Sequence, residues 1–202
     1  MSGSADLDDL LRSLCNSPIA TVVTNPRAPD NPIVGVNEAF TRLTGYAASE
    51  AIGRNCRFLA GGHTRQAGTS ILREAIVRQR PVLTELLNYR QDQTPFRNAV
   101  MIAPLFDGEG RLEYFIGSQM EVGGGDMPSV ARKEASRELI NRLTPRQRQV
   151  LGEMILGYRN KQIAARLGLS EKTVKMHRSL LLERLGAISS MEAVRIAVEA
   201  GI

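Results

Sequence analysis

The chain has 202 residues, enough for one or two domains, and 43% of them are hydrophobic, as in an ordinary globular protein with a packed core. No apolar run approaches the roughly 18 residues of a membrane span, and the acidic N-terminus lacks a secretory signal pattern, so we expect a cytoplasmic protein without a membrane span. Two cysteines are too few for a disulfide framework or a four-thiolate zinc site, so we expect neither a structural disulfide nor a metal.

Residues 1–122 have the pattern of an α+β domain. Helical or loop segments follow the second predicted strand, and the sequence from Asp107 to Gly110 predicts a hairpin turn before the last strand. Five segments that alternate in polarity or are rich in β-branched residues predict the strands, namely PIATVVT, PIVGV, VLTELLNY, TPFRNAVMIAP and LEYFIGSQMEV.

The segment 123–142 predicts a connector between two domains. It begins with the glycine-rich GGGDMPS, which indicates a flexible joint, and continues as a polar helical stretch from Pro128. From residue 143 to the end, ten Lys and Arg residues face five Asp and Glu residues, which accounts for the whole net charge of +5. A small basic domain beside a near-neutral one indicates a module that binds a polyanion under the control of the rest of the chain.

The basic region 143–202 predicts a helix-turn-helix. A first helix begins with a capping box at Thr144, a short second helix stops at Gly168, and Ser170 caps a longer basic helix. One stripe of that helix is apolar and predicts a packed face, whereas the opposite stripe suits the DNA major groove better than a merely solvated surface. The candidate DNA contacts are Lys172, Thr173, Lys175, Met176, Arg178 and Ser179.

The last predicted helix carries more apolar surface than one small core requires. This surplus predicts a partner, either a second copy of the domain, the N-terminal domain or each in turn, because helix-turn-helix domains normally bind DNA as dimers. A thicker core within the domain is the alternative. The candidate residues for dimerisation or interdomain contact are Met191, Val194, Ile196, Ala197 and Val198.

The stretch LTPRQRQVLGEMILGYRNKQIAARLGLSEKTVKMHRSLLLERL closely resembles the LuxR-type helix-turn-helix, whose pattern runs LTxRExEVL, NKEIAxxL and SxxTVKxH. Gln147 replaces the usual glutamate of this pattern and can still complete the capping box. The resemblance implies that the domain binds double-stranded DNA. It leaves the signal open, because families with different sensors share this output domain.

The N-terminal stretch GRNCRFL resembles the GxNCRFLQ motif of LOV domains, the blue-light branch of the PAS fold. The resemblance implies a five-stranded antiparallel sheet that binds FMN, with FAD or riboflavin as alternatives. It implies that blue light joins the Cys56 sulfur to flavin carbon 4a and that Gln119 then reorients. The helix-turn-helix, held on the sheet as a monomer in the dark, would be released, dimerise and bind DNA. The implied flavin contacts are Asn55, Cys56, Arg57, Arg73, Asn88, Asn98 and Gln119.

Some of these residues also have a simpler interpretation. The two arginines could be ordinary surface residues, and Asn55 could cap a local helix. Ala60 stands where many LOV domains have a glutamine that holds the cofactor, and alanine cannot replace its hydrogen bond. Cys15 is predicted to be an apolar helix residue without a function.

Two other functions for Cys56 remain open. A redox- or ligand-sensing PAS transcription factor would use Cys56 as an oxidisable thiol. An enzyme would use it as a nucleophile, but the only histidines, His63 and His177, form no recognisable catalytic pattern with it. We therefore expect a regulator that is not an enzyme.

Overall fold

The computed structural model describes residues 17–123 and 129–202. Its N-terminal half is a five-stranded antiparallel sheet with the strand order β2-β1-β5-β4-β3. All five predicted strands are confirmed, and the turn between β4 and β5 begins at Asp107, whose carbonyl accepts a hydrogen bond from Gly110 N at 3.0 Å. The strands are β1 (Ala20–Thr24), β2 (Ile33–Val36), β3 (Val82–Tyr89), β4 (Pro95–Phe106) and β5 (Leu112–Glu121).

Short helices connect β2 to β3 and lie beside the sheet. Asn37 caps the first of them by accepting a hydrogen bond from Phe40 N at 3.0 Å, and Gly45, with φ +79°, ends it. Phe40 is fully buried and joins these helices to β1 and β2 in one apolar cluster. The helices are α1 (Glu38–Thr44), α2 (Ala48–Ala51), a 3-10 helix (Cys56–Leu59) and α3 (Gln66–Val77).

The C-terminal half of the described chain is helical. Thr144 and Gln147 form the predicted capping box, and Ser170 Oγ accepts a hydrogen bond from Thr173 N at 3.0 Å to cap the long basic helix. The predicted inward stripe of that helix is confirmed, because Val174 and Leu181 are fully buried. The helices are α4 (Ser129–Asn141), α5 (Pro145–Ile155), α6 (Asn160–Leu167), α7 (Glu171–Leu185) and α8 (Ser190–Ala200).

The two halves are docked on one another. Met101 and Ala103 of β4 belong to the same buried cluster as Ile196 and Ala197 of α8. The predicted connector takes part in this packing, because α4 lies along α8 and Ser136 Oγ donates to Glu199 Oε2 at 3.0 Å. The surplus apolar surface of α8 is therefore covered by α4, by its own domain and by the sheet.

Three of the sequence predictions lie outside the described residues. They concern Cys15, most of the glycine-rich joint and Pro128. Within residues 17–123 and 129–202, no helix has both the length and the apolar character to cross a membrane. The same residues contain no group of three or more His, Cys, Asp or Glu side chains placed to hold a metal ion.

Candidate functional site

A cavity of about 470 Å³ lies between the sheet and the helices that contain Cys56 and Arg73. Its sheet wall is mainly apolar and includes Val22, Ile102 and Phe115. Six of the seven side chains that the sequence predicts to contact a flavin line this cavity, and Asn98 is the exception. The six are Asn55, Cys56, Arg57, Arg73, Asn88 and Gln119.

Three side-chain amides form a buried chain of hydrogen bonds across β3, β4 and β5. Asn98 Nδ2 donates to Asn88 Oδ1 and to Gln119 Oε1, both at 2.9 Å, and Asn88 Nδ2 donates to Leu59 O at 3.1 Å. Asn98 is fully buried, and its two hydrogen bonds orient the amides of Asn88 and Gln119 that line the cavity. Among the described residues its own Oδ1 is buried without a hydrogen-bond partner, which marks an acceptor that can receive a ligand donor.

Cys56 begins the 3-10 helix and lines the same cavity. It is half-buried and packs against the apolar cluster around Phe40. Removal of the thiol from water raises the pKa of Cys56 from 9.0 to about 12. The side chain is therefore a protonated thiol at neutral pH.

Two arginine side chains, those of Arg57 and Arg73, line the cavity. Arg57 forms a two-pronged ion pair with Asp30, with Nη1 to Oδ2 at 2.7 Å and Nη2 to Oδ1 at 2.5 Å. This ion pair lowers the pKa of Asp30 and keeps its carboxylate charged. Asn55 is a local cap, since its Oδ1 accepts from Arg57 N at 3.0 Å and its Nδ2 donates to Asp30 O at 2.6 Å. Arg73 is exposed on α3 and lines the same cavity.

The outer face of α7 carries most of the predicted DNA contacts. Lys172, Lys175, Met176 and Ser179 are exposed, and Thr173 is half-buried beside its cap.

Arg178 differs from the prediction. Its guanidinium donates to Asn160 Oδ1 at the start of α6 and to Ser190 Oγ at the start of α8, the latter at 2.6 Å. Burial lowers the pKa of Arg178. The residue therefore ties three helices together inside the domain and does not extend from the surface.

Most of the residues predicted for dimerisation or interdomain contact are buried in the docked arrangement. Val194, Ile196 and Ala197 are buried, and Met191 and Val198 are half-buried against the same cluster. A second copy of the domain could reach them only after α8 is uncovered.

Comparison with known families accounts for both halves. A model described as "PAS domain" matches residues 18–122, more than half of the chain. The chain belongs to the PAS domain family. A second model, described as bacterial regulatory proteins of the luxR family, matches residues 141–197. The protein thus joins a PAS domain to a LuxR-type helix-turn-helix.

Individual relatives assign the PAS domain to the LOV branch. The chain is 36% identical over 184 residues to blue-light-activated histidine kinase 1 of Erythrobacter litoralis, covering 90% of this chain and 48% of the kinase. A solved light-oxygen-voltage domain studied with a flavin analogue has a TM-score of 0.55 and 36% identity, covering 66% of this chain and 96% of that one. The light-state dimer of the fungal photoreceptor Vivid has a TM-score of 0.51 and 31% identity, covering 52% and 79%. The chain spans about half the length of its curated kinase relative.

The residues of the LOV cavity fit a flavin. A flavin has a flat apolar ring system, one polar edge with both donors and acceptors, and a flexible chain that ends in phosphate in FMN. The cavity provides an apolar wall, the amides of Asn88 and Gln119, and the cations of Arg57 and Arg73. The Oδ1 of Asn98, buried without a hydrogen-bond partner in the described part of the chain, agrees with this fit, because the polar edge of a flavin carries an N–H donor that such an acceptor needs.

Proposed function

We propose that this chain is a blue-light-responsive transcriptional regulator whose DNA-binding domain rests on the LOV sheet in the dark and is released by light. The observation that carries the proposal is the use of both faces of β4. Val100 and Ile102 line the cavity, whereas Met101 and Ala103, which alternate with them, pack against the C-terminal helices. Because successive side chains of a strand point to opposite faces, cavity and DNA-binding domain share one layer of backbone.

The cofactor in this proposal is FMN, with FAD or riboflavin as alternatives. A bound flavin supplies blue-light absorption and, once excited, a ring carbon to which a thiol can add. Arg57 and Arg73 would bind the FMN phosphate, because guanidinium groups match its oxygens in pairs. Arg57 must open its ion pair with Asp30 to do so. Asn88, Asn98 and Gln119 would bind the polar edge of the ring.

Cys56 contributes both its sulfur and its proton. With a pKa of about 12, the thiol keeps that proton throughout the physiological range, so the reaction cannot depend on a resting thiolate. The same property disfavours the redox-sensor alternative, because oxidation of a cysteine proceeds through the thiolate. It also disfavours an enzyme that would use Cys56 as its nucleophile.

Gln119 carries the change into the sheet. Its Oε1 accepts from Asn98 Nδ2, which holds the amide in one orientation before light arrives. If Cys56 gave its proton to a bound flavin, Gln119 would face a donor in place of an acceptor and would turn its amide oxygen toward that donor. Gln119 is paired with Ala20 of β1 and Val100 of β4, so the exchange alters hydrogen bonding in the middle of the sheet.

Release of the C-terminal domain uncovers α8 for dimerisation. The dark state is a monomer in this proposal, because the faces that would pair are buried. The name of the Vivid structure describes a light-state dimer, which supports light-driven pairing in a related domain. A bias of a few kcal/mol is enough to change which of two such states predominates. As a regulator that binds chromosomal DNA, the protein would act in the cytoplasm.

The test is the visible absorption spectrum of the flavin-loaded full chain in the dark, after a blue flash and during recovery. We expect a structured blue band that bleaches and returns, and that does not bleach in Cys56→Ser protein. Binding to duplex DNA is then compared in dark and light. A protein that takes up no added flavin would refute the light-sensor function. Bleaching without any change in DNA binding would refute the coupling.

A further inference from the structure

An ion pair joins the LOV sheet to the start of the helix-turn-helix. Arg159 Nη2 lies 2.5 Å from Glu113 Oε2 of β5, and the side chains are 32% and 9% exposed, respectively. The first turn of α6 adds a second polar contact, in which Gln162 Nε2 donates to the carbonyl of Asp107 at 2.7 Å. These contacts lie between the β4–β5 hairpin and α6, and are distinct from the apolar cover over α8.

Arg159 lies close to α7, the recognition helix, which carries most of the predicted DNA contacts. It immediately precedes α6, the first helix of the helix-turn-helix pair. Its neighbour Asn160 accepts a hydrogen bond from Arg178 of α7, so the start of α6 contacts the helix that carries the predicted DNA contacts. In helix-turn-helix complexes the first helix crosses the DNA backbone while the second enters the major groove. A cation at the start of α6 is therefore placed where phosphates pass.

Carboxylate and phosphate are interchangeable partners for a guanidinium. Both present two oxygens to the planar pair of N–H donors, and the charge-assisted bonds are of similar length. We propose that Arg159 is a DNA phosphate contact and that Glu113 takes the place of that phosphate in the docked state. This inference rests on the proposed function and adds a direct block of DNA binding to the covering of α8.

The ion pair makes docking and DNA binding mutually exclusive at one residue. While Glu113 holds Arg159, one of the ten cationic side chains of residues 143–202 is neutralised and turned toward the sheet. After release, the same guanidinium would bind a phosphate in place of the Glu113 carboxylate and would displace a counterion from the DNA. Each such contact makes the slope of log affinity against log salt concentration more negative by about 0.9.

The experiment compares Glu113→Gln protein with the double variant Glu113→Gln/Arg159→Gln. Both lack the ion pair, so its loss weakens docking in both, and they differ only in the cation at position 159. The probe is a fluorescently labelled DNA duplex of mixed sequence, several helical turns long, because phosphate contacts do not require the operator. Binding by the flavin-loaded full chain is measured by anisotropy over a range of salt concentrations under blue light.

We expect the double variant to bind DNA more weakly than Glu113→Gln protein. Its log affinity should also fall less steeply with log salt concentration, by about 1 in the slope. A Glu113→Gln/Arg159→Lys variant retains the charge and should restore most of the slope, which a merely structural role of Arg159 would not predict. Arg132→Gln is a further control, since it removes the ion pair of α4 with Glu85 (2.6 Å) outside the helix-turn-helix. It should raise binding in the dark and leave the lit slope unchanged.

Equal salt slopes for the single and double glutamine variants would overturn the assignment of Arg159. Equal salt slopes for the Glu113→Gln/Arg159→Gln and Glu113→Gln/Arg159→Lys variants would also overturn it. The failure of the proposed function looks different. Light control would be refuted if wild-type protein bound DNA equally well in the dark and in the light. The phosphate contact would still be upheld if the salt slopes of Glu113→Gln and Glu113→Gln/Arg159→Gln differed.

Discussion

Replacing Gly157 with alanine should force the DNA-binding domain off the LOV sheet in the dark. Gly157 follows α5 with φ +84°, and a Cβ built on it would lie 2.2 Å from the backbone oxygen of Pro104 in β4. The nearest atoms belong to strand backbone, which cannot move aside as the tip of a side chain can. The two domains must therefore separate locally, and the hydrogen bond from Phe106 N to Gly157 O at 3.3 Å is lost with them.

The size of the effect follows from the overlap. Ordinary Cβ contacts lie at 3.4–4 Å, so the gap must widen by more than an ångström. Overpacking of this kind costs about 1–3 kcal/mol. Since the cost applies only to the docked state, the ratio of docked to undocked protein falls by about 5–150-fold. The positive φ adds roughly 1 kcal/mol of strain in both states, which lowers stability without changing that ratio.

Gly168→Ala is the matched control. Gly168 also ends a helix of the same domain with a positive φ of +64°, but a Cβ there would meet nothing within 4 Å. We expect both variants to unfold at lower temperature and only Gly157→Ala to bind duplex DNA in the dark nearly as well as lit wild-type protein. Anisotropy titrations and thermal melts provide the two measurements. Equal dark binding by the two variants would show that contact with Pro104 does not hold the domains together.

Three further predictions concern the cavity and the recognition helix. The thiol of Cys56 keeps a proton that the unfolded chain releases, so the free energy of unfolding should decline as pH rises from 9.0 to about 12. Denaturant titrations of Cys56→Ser protein should lack this part of the decline. Asn98→Leu removes the donor shared by Asn88 and Gln119, so each buried acceptor should cost about 1–3 kcal/mol and flavin affinity should fall in a fluorescence titration. Arg178→Met should lower the melting temperature, because Arg178 bonds to other helices inside the domain. Lys175→Met should weaken DNA binding and leave the melting temperature unchanged. Equal melting temperatures of the two variants would contradict the inward role of Arg178.

Local patterns predicted the elements well because each element has a local cause. Alternation of apolar residues marks the five strands, and caps such as Thr144 and Ser170 mark where helices begin. The strand order could not be predicted in this way. It places β1 next to β5, and no local pattern indicates which strands pair. The docking of the helices on β4 has the same character, since it depends on two surfaces that are distant in sequence.

The site was predictable where a motif identifies it and less so where tertiary neighbours decide. The motif around Cys56 leads to a residue that lines the cavity, whereas Asn98 is absent from the lining and donates hydrogen bonds to two amides that belong to it. Helical spacing puts Arg178 at the edge of the exposed face, yet the starts of two other helices meet it there. Arg159 and Glu113 are separated by 46 positions, and nothing near either residue indicates the other.

The shared strand β4 has a consequence for how such proteins can be taken apart and recombined. Leu83, Met101 and Ala103 are covered by the helical domain, so removal of that domain would leave a contiguous apolar face open to water. The sensor half alone should therefore self-associate through this face. Conversely, any output module with an apolar stripe that can cover these residues would lie one backbone layer from the cavity of the LOV domain. Light control could then be transferred to a new module without a dedicated relay of residues.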